Sequence, residues 1–219
     1  MHNPLRRRAK TGREDEPEIA PEAGGTRLIV GLGNPGKEYA LNRHNIGFWC
    51  INRLARRSGV DFDQRSRLAS TAQARIGDRP VILAKPRTFY NNSGNAVREL
   101  LRRHHLRPEQ LLVVVDELDL PVGALRLKER GSPGGQGGMK SIVGAIGSQE
   151  FPRVRIGIGR PSVQGAPSYE PEVIAGYVLS APPPAERAIL DAAVAQAVEA
   201  IELLLAEGLA AAMARFNRR

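Results

Sequence analysis

The chain has 219 residues, 42% of them apolar, and a formal net charge of +9. That length suits one domain of ordinary size with a tail, and the apolar share is enough for a core. A single cysteine, Cys50, excludes an internal disulfide and a Cys-rich zinc site, and no apolar run approaches the roughly 20 residues that cross a bilayer.

Residues 1–25 come first and read as a disordered N-terminal extension, or as a start codon assigned too early. They carry five basic side chains (Arg6, Arg7, Arg8, Lys10, Arg13) and five acidic ones (Glu14, Asp15, Glu16, Glu18, Glu22). Such a segment buries too little apolar surface to order itself. It has neither the apolar stretch of a signal peptide nor the acid-poor composition of a transit peptide. A cytoplasmic protein is the expectation. Because the tail charges cancel, the whole positive excess sits in the body. A body this basic suits a polyanionic partner, although a merely soluble basic surface has the same composition.

Arg27 to Leu32 reads as a buried strand. Ile46 to Ser58 shows helical spacing through Phe48, Ile51 and Leu54. Ser70 to Ile76 and Val81 to Lys85 read as strands around a Gly77-Asp78 turn. Ser93 is predicted as the N-cap of a helix burying Ala96, Val97, Leu100 and Leu101. His104 and His105 fall on that helix as immediate neighbours, which point apart, so surface or interface histidines are expected rather than metal ligands. Leu111 to Val115 is a continuous aliphatic strand, of the kind covered on both faces. Ala124 to Arg130 alternates, with Leu125 and Leu127 opposite Arg126 and Lys128. Arg153 to Gly159 alternates likewise, and Val173 to Leu179 is a further candidate strand. Pro182, Pro183 and Pro184 then introduce a helix from about Ala185 to Glu207, with a stripe of Leu190, Val194, Ala197, Val198, Ile201 and Leu205. Strands alternating with helices imply a single three-layer α/β domain over residues 26–219. Strand order cannot be read from periodicity.

Two glycine-rich segments imitate nucleotide-binding motifs. GLGNPG (31–36) is formally the dinucleotide fingerprint. However, Pro35 sits where the helix should start, and no acidic residue lies between Glu38 and Asp61 to bind a ribose. GGQGGMKS (134–141) lacks the glycine before Lys-Ser that lets backbone amides wrap a phosphate, because Met139 stands there. Neither a nucleotide cofactor nor an NTPase is expected.

Asn34, His44 and Asp116 each stand where an apolar run meets a loop. In open α/β sheets, ligands gather at the carboxyl ends of strands. There an Asp can orient a His, and a His so oriented can activate water. Glu117 and Asp119 are assigned to the following turn.

Six segments then occur in order: LIVGLGNPG (28–36), NRHNIGFW (42–49), KPRTFYNNSGNAV (85–97), LLVVVDELDLPVG (111–123), GSPGGQGGMKSI (131–142) and FPRVRIGIGRP (151–161). Together they resemble bacterial-type peptidyl-tRNA hydrolase, over a span from about Arg27 to Asn217. The resemblance implies a twisted mixed sheet with helices on both sides. It also implies hydrolysis of the ester between the peptide and the 3′-terminal ribose of peptidyl-tRNA, freeing the tRNA for translation. His44 becomes the base and Asp116 the carboxylate that accepts from its imidazole. Asn34 and Asn91 position the peptide and the attacking water, and Tyr39, Phe89 and Tyr90 contact substrate, the last two as an apolar wall. Core packing is the other reading of Phe89, and a plain turn residue that of Asn34. Arg126, Lys128 and Arg155 become the tRNA phosphate clamp, extended by Arg153, Arg130 and Lys140; a solvated basic face is the alternative. The implied partner is peptidyl-tRNA, through its acceptor arm and peptide, with no membrane, metal or cofactor and one chain as the working unit.

The chain departs from the family's common pattern at one place. Gln136 and Gly137 stand where His-Asn is usual, so both are substrate-contact candidates with a changed grip. They lie in Gly131 to Gly138, whose five glycines suggest either a mobile lid or a flexible connector. A catalytically silent RNA-binding relative is the rival reading that this departure supports.

Overall fold

In a computed structural model, residues 25–217 are described. The expectation of disorder for residues 1–25 therefore lies, but for its last residue, outside the described residues. Among these, the elements in chain order are β1 (Arg27–Gly31), α1 (Ile46–Arg57), β2 (Gln64–Arg65), β3 (Ala69–Ile76), β4 (Arg79–Pro86), α2 (Ser93–Arg103), β5 (Leu111–Glu117), β6 (Leu125–Lys128), α3 (Gly137–Ile146), β7 (Arg153–Gly157), β8 (Ser162–Val163), β9 (Ala166–Pro167), α4 (Pro171–Val178), α5 (Pro184–Glu207) and α6 (Leu209–Phe216). Short 3-10 turns lie at Lys37–Tyr39, Arg43–Asn45, Tyr90–Asn92 and Pro108–Gln110.

Seven strands form one mixed sheet in the order β2-β3-β4-β1-β5-β7-β6. β4, β1, β5 and β7 run parallel, while β3 and β6 join antiparallel at either side. Three of the parallel strands carry continuous apolar runs, Leu28 to Val30, Val81 to Ala84 and Leu111 to Val115, because both faces are covered there, while β7 alternates Arg153 and Arg155 with Val154 and Ile156. On one face Ile29, Leu83, Leu112, Val114, Val154 and Ile156 pack with α1, α5 and α6. On the other, Leu28, Val30, Ala84, Val113 and Val115 pack with α2 and α3. Full burial of such a side chain contributes about 1.5–3 kcal/mol. From β1 the chain crosses through α1 to β4, on one side of β1, and returns through α2 to β5 on the other. The β1–β5 boundary is therefore the switch point where an open α/β sheet offers a crevice.

Two glycines let α1 close on that boundary. A Cβ on Gly47 would lie 2.5 Å from the backbone nitrogen of Leu32 and 2.6 Å from the Val114 carbonyl. A Cβ on Gly31 would strike the Gly47 carbonyl in turn. Backbone on backbone at this range fixes the turn before α1, and so the residues it carries.

Several expectations change. Val173–Leu179 is not a strand: Pro171 opens helix α4 at its first turn. Ile174, Tyr177 and Val178 then face inward, at the i, i+3, i+4 spacing of a helix. Ser93 is the first residue of α2 and not its cap, and its hydroxyl donates to the Tyr90 carbonyl at 2.8 Å. His104 and His105 lie past the end of α2, with His105 in the left-handed region at φ 53°. Gly137 and Gly138 belong to the first turn of α3, so the glycine-rich loop ends at Gln136. The helices α3 and α6 and the β8–β9 hairpin were not read from periodicity.

Candidate active site

The crevice at the β1–β5 boundary holds a cleft of about 310 Å³, lined among others by His44, Tyr90, Asp116, Gly135, Gln136 and Arg160. Asp116 is the last-but-one residue of β5 and is buried. His44 comes from the 3-10 turn that leads into α1, with its side chain 18% exposed. Its Nδ1 lies 2.9 Å from Asp116 Oδ2. A carboxylate accepts only, so in the neutral imidazole Nδ1 carries the proton and Nε2 keeps its lone pair.

The turn bearing His44 is held from both sides. Arg43 is 5% exposed and bonds Glu186 at 2.6 and 2.9 Å through Nε and Nη2. It also donates to the carbonyls of Tyr177 and Ser180. Asn45 grips the β1 loop reciprocally: its Oδ1 accepts from the Asn34 amide at 2.8 Å and its Nδ2 donates to the Asn34 carbonyl at 2.9 Å. Sequence reading missed both residues. Arg43 and Asn45 flank His44 in NRHN, but Glu186 lies 143 positions away and leaves no local signal.

Tyr90 lines the cleft. It is 3% exposed. Its ring stacks on the His44 imidazole, with centroids 3.5 Å apart and planes at 14°. Its hydroxyl donates to Asp116 Oδ1 at 2.6 Å and lies 3.0 Å from Gln136 Oε1. A phenol has one proton, and the shorter, charge-assisted contact to the carboxylate takes it. Burial, and then the neighbouring Asp116, push the Tyr90 phenol well above its ordinary pKa, so it stays a donor. Gln136 completes the ring of contacts by donating from Nε2 to the Asp116 backbone carbonyl.

The other candidates divide. Asn34 is buried, and its Oδ1 accepts from the Tyr90 amide at 2.8 Å, tying the β1 loop to the residue behind His44. Asn91 is exposed, and its carboxamide oxygen occupies the space a Cβ on residue 137 would need. Gly137 is thus what lets Asn91 lie against the start of α3. Phe89 is 59% exposed and meets Tyr39 edge to face at 6.3 Å; it precedes the cleft-lining Tyr90 in the chain.

The basic candidates also divide. Arg126 and Arg155 are partners across β6 and β7, as are Lys128 and Arg153. Lys128, Arg153 and Arg155 line a recess that shares Glu117, Gly134 and Gln136 with the cleft. Arg126 is directed elsewhere: its guanidinium donates to the Leu125 carbonyl, and it lines a groove with Pro121 and Phe216. Arg155 is ion-paired with Glu117 at 2.5 Å. Glu117 also accepts from the Asp119 amide at 3.1 Å, so it serves the turn and the cation together. Arg130 pairs with Glu150 at 3.1 Å, while Lys140 is an exposed residue of α3. Arg160 and Asp119, both lining the cleft, pair with each other. Among the described residues no group of three or more His, Cys, Asp or Glu side chains is placed to hold a metal.

Residues 28–219 match the model of the family described as peptidyl-tRNA hydrolase. A peptidyl-tRNA hydrolase of Dehalococcoides mccartyi is 47% identical over 191 residues, 87% of this chain and 99% of that protein. One from Aquifex aeolicus is 46% identical over 80% of this chain and 88% of its own length. The crystal structure of peptidyl-tRNA hydrolase from Acinetobacter baumannii superposes with a TM-score of 0.81 at 35% identity, covering 90% of this chain and 97% of that one.

Proposed function

The chain belongs to the peptidyl-tRNA hydrolase family, and on that premise we propose that His44, oriented by Asp116, is the general base of its reaction. The reaction is hydrolysis of peptidyl-tRNA. Its bond is the ester between the peptide's terminal carbonyl and the 3′-terminal ribose. Nε2 of His44 takes a proton from water as the water oxygen attacks that carbonyl. The carbonyl electrons move onto oxygen, forming a tetrahedral adduct. Collapse breaks the bond to the ribose oxygen, which receives the proton back from the imidazolium. Asp116 holds the required tautomer and offsets the positive charge on the ring. General-base help of this kind is worth roughly 10² to 10⁴ in rate.

The observation that carries this reading is the 2.9 Å contact between Nδ1 and Asp116 Oδ2 at the wall of the cleft. The peptide is assigned to the open side bearing Tyr39, Phe89 and Asn91, with Gln136 and Gly137 at its edge. Asn34 acts on substrate mainly through the loop it holds. Lys128 and Arg155 are assigned to tRNA phosphates, because their recess adjoins the cleft. Arg126 is a weaker member of that clamp. One chain supplies every group named, so one chain of residues 26–219 is taken as the working unit. No helix among the described residues is long and apolar enough to cross a membrane. The cytoplasm, where peptidyl-tRNA is made, is the assigned place of action.

The test is hydrolysis of an N-blocked aminoacyl-tRNA beside its unblocked counterpart, with wild type and His44→Ala. The variant should lose nearly all turnover and keep its tRNA affinity. Retained turnover would remove His44 from the chemistry, and equal loss of affinity would make it structural.

A further inference from the structure

The resemblance implies that Tyr90 touches substrate; it lines the cleft and is also held by three contacts of its own. One ring face lies on His44, the hydroxyl reaches Asp116 Oδ1, and the backbone amide bonds Asn34 Oδ1. From this juxtaposition we infer that Tyr90 is a positioning residue for the hydrolysis: its hydroxyl fixes the second oxygen of Asp116 while its ring fixes the plane of His44.

The physical argument starts from the freedom of a carboxylate. Its terminal torsion is broad, so either oxygen can approach the imidazole. A donor committed to Oδ1 leaves Oδ2 for Nδ1. Tyr90 on Oδ1 and His44 on Oδ2 thus hold the carboxylate at both oxygens, and Gln136 ties the Asp116 backbone carbonyl. A ring stacked at 3.5 Å also blocks rotation of the imidazole about its own axis. Nε2 is thereby kept on a fixed line into the cleft.

The hydroxyl has a second effect. A hydrogen bond to a carboxylate withdraws charge from it. The carboxylate then holds the imidazolium less tightly, and the ring gives its proton back to the leaving oxygen more readily. Other charges facing the pair are already matched: Glu117 with Arg155 at 2.5 Å, and Asp119 with Arg160 at 2.5 Å. Tyr90 itself stays neutral, since burial pushes its phenol upward. A protonated hydroxyl is therefore available over the whole working range.

The inference rests on His44 being the base, and its test separates the two. Tyr90→Phe keeps the stacked ring and removes only the hydroxyl; Tyr90→Met removes the ring as well. Each is compared with wild type and His44→Ala in kcat and kcat/KM for N-acetyl-aminoacyl-tRNA between pH 5 and 9 (roughly the range in which an imidazole and its neighbours titrate). In Tyr90→Phe the His–Asp pair holds its proton more tightly. A base works only when unprotonated, so the acidic limb of kcat/KM should move up by about half a pH unit or more. Plateau kcat should fall about three- to tenfold, with KM within about twofold. Tyr90→Met should show the same upward shift and a larger fall in kcat. An acidic limb that stays put in both variants overturns the inference, whatever happens to kcat. A rise in KM alone overturns it too, and returns Tyr90 to the substrate wall. Full turnover by His44→Ala would instead sink the base assignment.

Discussion

Asp116→Asn isolates the orienting role of the carboxylate with almost no change in shape. Tyr90 has a single hydroxyl proton to donate and sits 2.6 Å from one carboxylate oxygen. With Tyr90 still donating to this nearer group, and not to Gln136 Oε1 at 3.0 Å, the new carboxamide turns its oxygen toward Tyr90 and its NH2 toward His44 Nδ1. Facing an NH2, Nδ1 can only accept, and the ring proton moves to Nε2. A protonated Nε2 cannot take a proton from water. The bond lost to a charged partner is worth about 1.5–3 kcal/mol. At about 1.4 kcal/mol per decade that is roughly 10- to 150-fold in rate. The cost of the wrong tautomer adds to this, up to the full general-base contribution of about 10⁴. The expected fall in kcat is therefore about 10²- to 10⁴-fold, with KM within about threefold, because the proposed tRNA-binding groups are other residues. The assay is release of acid-soluble acyl group from N-acetyl-aminoacyl-tRNA, beside a thermal melt to confirm folding. A kcat within tenfold of wild type would refute the argument.

Three further perturbations probe other parts. Gly47→Ala places a methyl against backbone atoms of Leu32 and Val114, which cannot move aside as a side chain can. Overpacking of this kind costs about 1–3 kcal/mol, so calorimetry should show Tm falling by several degrees, and an unchanged Tm would mean that α1 is not seated there. Cys50 is buried, and burial pushes its thiol up to about 12 against a smaller lowering by Arg53. At pH 8 it should resist an aromatic disulfide reagent in the native chain and react once guanidinium unfolds it; prompt native labelling would show that α1 opens. Lys128→Ala should lower the salt dependence of tRNA binding by about one phosphate contact and leave saturated kcat unchanged, whereas an unaltered slope would move the clamp elsewhere.

Legibility varied with how local the cause was. The run Leu111 to Val115 could be read as a doubly covered strand because burial on both faces makes every side chain apolar. The stripe of α5 could be read because twenty-four residues give a period time to repeat. Val173–Leu179 was misread because seven mostly apolar residues fit either a strand or a helix. Pro171, two residues earlier, was the signal that decides it. Helix α3 was hidden because two glycines open it, and glycines more often mark a loop. Its Met139, Ile142, Val143 and Ile146 nevertheless follow a helical period and pack beneath α2.

By itself, the amino-acid order determined which segments could be buried, where the apolar runs stop, and which polar groups stand at those stops. Those are short-range matters of period, propensity and turn chemistry. Only the tertiary structure decided which groups meet. His44 and Asp116 are 72 positions apart, and no spacing rule relates them. They touch because β1 and β5 are sheet neighbours, and because Gly31 and Gly47 allow the turn before α1 to close on their ends. The same holds at finer scale for Phe89 and Tyr90. They are adjacent and both aromatic, yet one is 59% exposed and the other 3%. A single 3-10 turn sends one ring to solvent and the other beneath the imidazole, a direction set by packing around the whole crevice.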